Sequence, residues 1–98
     1  MSSMYISEYE ELATSENGMV QAGKEPAVTR QKVTFTGTAG ASAAFNSRTK
    51  FIRVSCDAAA YLDFGVAPTA VTATDMPVQA NTPEYFGVIP GQKISAVA

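Results

Sequence analysis

Histidine and tryptophan are absent from this sequence, and cysteine occurs once, at Cys56. Without histidine the chain lacks the usual general base near neutral pH and the commonest metal ligand, and one thiol cannot build a structural zinc site. A lone cysteine also rules out an internal disulfide framework and fits folding in a reducing cytoplasm. No apolar run approaches the roughly 20 residues of a membrane helix, and no charged start leads into an apolar stretch as in a secretion signal. The expectation is a soluble chain with no membrane partner. Basic residues are few, seven Lys and Arg against nine Asp and Glu for a net charge of −2, which speaks against nucleic acid as a partner. The glycines follow no phosphate-loop spacing, and Asp57, Asp63, Asp75 and Glu84 do not fall in a D-x-D-x-D calcium loop. No catalytic residue, metal or cofactor is therefore expected, and enzymatic function is not.

The 98 residues suit one small domain, and at 46% hydrophobic and 16% charged they can build a packed core. From Thr29 onward, short apolar or alternating segments are separated by Gly, Pro, Asn and Asp, the pattern of many strands and turns. Seven strands are expected. Val33 and Phe35 alternate with Lys32, Thr34 and Thr36 in the first, over residues 31–36; residues 43–45 form a second short piece. In "FIRVSC", residues 51–56, Ile52, Val54 and Cys56 share one face and Phe51, Arg53 and Ser55 the other. A turn at Asp57 leads to 60–65, where Ala60, Leu62 and Phe64 oppose Tyr61 and Asp63, until Gly65 ends the strand. Residues 65–75 read as a surface connection. The last three strands are 76–80, demoted to an edge by Pro77, then 84–89, and 93–97, the last two joined antiparallel by a type II turn at Pro90-Gly91. The fold expected is all-β, an antiparallel β-sandwich or jelly-roll-like barrel over residues 29–98, preceded by an extended N-terminal arm over 1–28.

Two structures compete for the arm. Ser7 and Glu10 have the spacing of a capping box, which favours a short helix over 8–13; Asn17-Gly18 is instead a hairpin signal, with Met19-Val20 returning as a strand. Glu8, Glu10, Glu11, Glu16 and Glu25 stand against Lys24 alone in residues 1–25, a net of −4 that leaves +2 for the rest. Tyr5, Ile6, Tyr9 and Leu12 are sizeable apolar groups that must pack on the sandwich or on another chain. Arg48, Lys50 and Arg53 form the one basic cluster, suited either to gripping carboxylates of a partner or to guarding a sheet edge against unwanted pairing. These seven residues are the candidate partner-binding set. Cys56, on the apolar face of its strand, reads as a buried hydrophobe.

Four stretches, "MYISEYEEL", "EPAVTRQKVTFTG", "SRTKFIRVSCDAAAYLDFGVAPTA" and "PEYFGVIPGQKISAV", resemble those of small virion proteins of tailed phages and prophages. The resemblance covers most of the chain and rests on structural motifs. It implies a β-rich virion structural subunit made in the host bacterial cytoplasm, a capsid decoration or cement protein. Such a subunit is a homo-oligomer, a dimer or trimer, that binds the major capsid protein on the outside of the shell. A head-completion or tail component is the alternative within that class. From fold analogy alone, a carbohydrate-binding module using Tyr61 and Tyr85 is the alternative outside it.

Overall fold

The computed structural model describes residues 2–15, 18–72 and 74–98. It is a sandwich of two four-stranded antiparallel sheets with a two-stranded hairpin on one side, and the described residues contain no helix. The strands are β1 (Ser2–Tyr9), β2 (Leu12–Ser15), β3 (Gly18–Gly23), β4 (Thr29–Phe35), β5 (Gly40–Ala41), β6 (Phe51–Cys56), β7 (Ala60–Gly65), β8 (Met76–Val78), β9 (Glu84–Gly87) and β10 (Lys93–Val97). The first sheet runs β4-β1-β6-β9, the second β5-β10-β7-β8, and β2 pairs with β3.

The expected N-terminal arm is not an arm. β1 is an inner strand of the first sheet, with Met4 opposite Val33 of β4 on one side and Cys56 of β6 on the other. Its alternation drives this: Met4, Ile6 and Glu8 point into the sandwich at 0 to 1% exposure, while Tyr5 and Ser7 face outward. Burying Met4 and Ile6 contributes about 1.5 to 3 kcal/mol each, far more than a six-residue helix capped by Ser7 and Glu10 could recover alone. The helix over 8–13 is accordingly replaced by the end of β1 and the start of β2. The hairpin alternative is the one observed, with Ser15 opposite Gly18 and Met19–Val20 in β3; Asn17 itself lies outside the described residues.

Glu8 is the unexpected member of the inward set. A buried carboxylate costs several kcal/mol unless its oxygens are hydrogen-bonded, and all three of its bonds come from distant residues. Oε1 accepts from the Asn46 amide at 2.9 Å and the Thr49 hydroxyl at 2.7 Å, and Oε2 accepts from Gln31 Nε2 at 2.8 Å. Gln31 also receives the Ala43 amide on its Oε1 at 2.9 Å, so the 42–46 segment is laced to the first sheet. That segment makes no strand at 43–45; β5 is shorter and earlier, although the Phe45 amide still reaches Gln92 of the β9–β10 connection. Among the described residues no buried side-chain polar atom lacks a partner.

Between the sheets lie Met4, Ile6, Val33, Phe35, Ile52, Val54 and Cys56 from the first, Ala60, Leu62, Val78, Ile94 and Ala96 from the second, and Phe45 from the connection. Among the described residues, the only consecutive strands that pair are β2 with β3 and β7 with β8. β6 and β7 belong to opposite sheets, joined by a crossing at Asp57 whose Oδ1 accepts the Ser3 amide at 2.8 Å. The expected β9–β10 hairpin also fails: β9 pairs with β6, β10 with β5 and β7. The Pro90-Gly91 turn is present, with Gly91 at φ 87° and the Gln92 amide donating to the Ile89 carbonyl at 3.2 Å, but it carries the chain from one sheet to the other.

Candidate binding face

The outer face of the first sheet is a grid set by strand register. One row crosses Lys32, Tyr5 and Ser55; the next crosses Arg30, Ser7, Arg53 and Tyr85; the third crosses Tyr9, Phe51 and Gly87. These three rows hold three cations and no carboxylate, in a chain whose net charge is −2. Lys32 Nζ sits 5.7 Å from the centre of the half-exposed Tyr5 ring, a cation–π contact. Arg30 donates from Nε to the Ser7 hydroxyl at 3.3 Å and from Nη2 to Glu25 Oε1 at 2.9 Å. Arg53, opposite half-exposed Tyr85, has no side-chain hydrogen bond or ion pair among the described residues.

The β2–β3 hairpin closes one end of this face. Tyr9 points outward yet is only 4% exposed, because its ring stacks on Phe51 at 5.3 Å and the hairpin lies against it. A Cβ at Gly23 would come within 2.6 Å of that ring, so only glycine permits the approach. The Tyr9 hydroxyl donates to Glu25 Oε2 at 2.6 Å, just after the hairpin's second strand, where the Glu25–Pro26 peptide is cis. Burial and the neighbouring carboxylate raise the Tyr9 phenol, and the same hydrogen bond, with Arg30 beside it, lowers the Glu25 carboxyl.

Beside the stack lies an open groove of about 390 Å³ lined by Leu12, Phe51, Tyr85, Phe86 and Gly87. Phe51 and Tyr85 stand 6.2 Å apart, ring centre to ring centre. Gly87 makes the notch: it is opposite Phe51, and a Cβ there would meet nothing within 4 Å. Among the described residues β9 ends the sheet, with one edge of this short strand unpaired. A second cleft, about 250 Å³, lies among Glu10, Glu11, Lys24, Glu25 and Arg48 at the hairpin base. Its charges are matched, Glu11 with Lys24 at 2.9 Å and Glu10 with Arg48 at 3.3 Å, exposed pairs of little energetic weight.

The seven sequence candidates are thus divided. Tyr5, Arg53 and half-buried Leu12 belong to the open face or its groove. Ile6 is core at 1% exposure and Tyr9 is held beneath the hairpin, so neither side chain is free to meet a partner. Arg48 is tied to Glu10, and Lys50 is exposed at the strand entry, where its amide bonds the Tyr9 carbonyl. Phe51, Tyr85, Phe86 and Gly87, as a groove, were not anticipated; the outward alternation of Phe51 with Arg53 was its one visible sign. Tyr61 and Tyr85 lie on opposite outer faces of the sandwich and cannot form one sugar platform. Cys56 is buried at 2% exposure, its thiol pushed up to about 11 by burial and by Asp57. Among the described residues no group of three or more His, Cys, Asp or Glu could hold a metal ion. Compared with protein-family models, curated proteins and solved structures, the chain matches none.

Proposed function

We propose that this chain is a non-enzymatic virion structural subunit, a capsid decoration or cement protein that attaches to major capsid subunits at the shell surface. The observation that carries this reading is the outer face of the first sheet, where exposed aromatics alternate with three cations in an otherwise satisfied sandwich. Aromatic and arginine side chains supply most of the energy at protein interfaces because they bury much area at small entropic cost. The resemblance of "MYISEYEEL" and "PEYFGVIPGQKISAV" to small virion proteins supports the same class. A chain of 98 residues has a modest core, so binding to neighbours on a lattice would add stability by mass action, and many weak contacts would add through avidity.

The test is co-sedimentation of the purified protein with particles of the phage or prophage whose genome carries its gene. Saturable binding at hundreds of copies per particle is expected of a decoration subunit. Binding at about a dozen copies would assign it to the head–tail connection, and no binding would overturn the proposal.

A further inference from the structure

We infer that the groove at Gly87 and the neighbouring Arg53 together form a docking site for an extended acidic segment of a partner protein. Two features of the site set this chemistry. The groove walls, Leu12, Phe51, Tyr85, Phe86 and Gly87, offer an apolar notch closed on one side by a stacked aromatic pair. One row away, Arg53 stands beside Tyr85 with no carboxylate partner among the described residues, on a face where Lys32 adds positive charge and Arg30 is paired with Glu25. A guanidinium beside a half-exposed aromatic is suited to a carboxylate, which it can grip with two parallel hydrogen bonds.

Spacing narrows the ligand further. Phe51 and Arg53 are two residues apart on β6, so notch and cation are separated by about 6.6 Å, the repeat of side chains on one face of an extended chain. A partner strand lying along the unpaired edge of β9 would therefore place an apolar side chain beside Gly87 and an acidic one, two positions away, beside Tyr85, across which the Arg53 side chain can extend. A saccharide would need several polar side chains to meet its hydroxyls, and among the described lining residues only Tyr85 carries a polar side-chain group. This inference rests on the outer face of the first sheet being the face that meets partner subunits, and names what the partner must present.

The probe is a displayed library of random linear peptides panned against the intact protein, followed by the Arg53→Glu and Gly87→Leu variants. The Cβ of residue 87 points into open space and Arg53 is on the surface grid, so both variants keep the fold, which thermal unfolding checks. Enriched peptides should carry an apolar and an acidic residue two apart. Gly87→Leu should weaken their binding about tenfold by filling the notch, and Arg53→Glu should select a basic residue at the acidic position. No enrichment, enrichment without the acidic residue, or indifference to both substitutions would overturn the inference, as would glycan-array hits that Gly87→Leu abolishes. If both variants bind particles like the parent protein, the groove is not the attachment site while the virion assignment stands. If the parent protein binds no particle, that assignment falls while the peptide result keeps its meaning.

Discussion

The two outer faces of the sandwich are built alike and finished differently. On the second sheet, Ser95 and Val97 point outward yet are 1% and 5% exposed, and Ala70 of the connection after β7 lies against Ser95. The Ser95 hydroxyl accepts the Ala70 amide at 3.1 Å and donates to the Gly40 carbonyl at 3.1 Å, and Asp75 Oδ2 receives the Val71 amide at 2.7 Å. On the first sheet the described part of the hairpin lies over Tyr9, and Tyr5 and Tyr85 stay half-exposed. A roofed face adds to the core; the other face leaves aromatics and the unpaired Arg53 at the surface, which is what the proposed partner contact requires. The difference shows that a sandwich this small can seal one outer face and leave the other open.

Substitutions ranked by effect should follow this division. Ile6→Ala, on the inner side of β1, should lower the unfolding free energy by about 2 to 5 kcal/mol in denaturant titration, whereas Tyr5→Ala, one residue away on the open face, should change it by less than about 0.5 kcal/mol. Equal losses at the two positions would erase the contrast. Ser95→Ala should cost about 1 to 3 kcal/mol, because it leaves the buried Ala70 amide without its acceptor; a neutral result would mean the roof adds nothing.

A smaller effect belongs to the hairpin. Glu25 has its carboxyl lowered in the folded state, so its contribution is present above the ordinary carboxylate range and is lost as pH falls through the folded value. Tyr9→Phe removes the hydrogen bond that is the largest cause, and should both destabilise slightly and flatten the acid limb of the stability profile. An unchanged acid limb would remove Tyr9 from the clasp. Smallest of all, Gly87→Leu should leave stability within about 0.5 kcal/mol of the parent, since its side chain enters open groove.

Much of this architecture could be read from residue order. β6, β7 and β10 run over the expected residues because strict alternation, as in Ile52, Val54 and Cys56, encodes a strand with little interference. β1 was hidden by one residue. Its inward positions are Met4, Ile6 and Glu8, and a carboxylate in that set breaks the apolar pattern, while Ser7 and Glu10 beside it offer capping-box spacing instead. The donors that make Glu8 tolerable, Gln31, Asn46 and Thr49, are 23 to 41 residues distant, which no local pattern registers. Sheet pairing was hidden for a related reason: a Pro-Gly turn specifies its own geometry but not whether the strands it joins share a sheet. The groove combines β2, β6 and β9, so although Leu12, Arg53 and Tyr85 were each named from the sequence, nothing in residue order brought them together.

The most direct measurement of the central claim compares Arg53→Glu, on the open face, with Lys93→Glu, on the outer side of the second sheet, for binding to the parent particles. The account predicts that Arg53→Glu loses attachment while Lys93→Glu retains it. Equal retention, or equal loss, would contradict the claim that the first sheet's outer face is where this protein meets its partners.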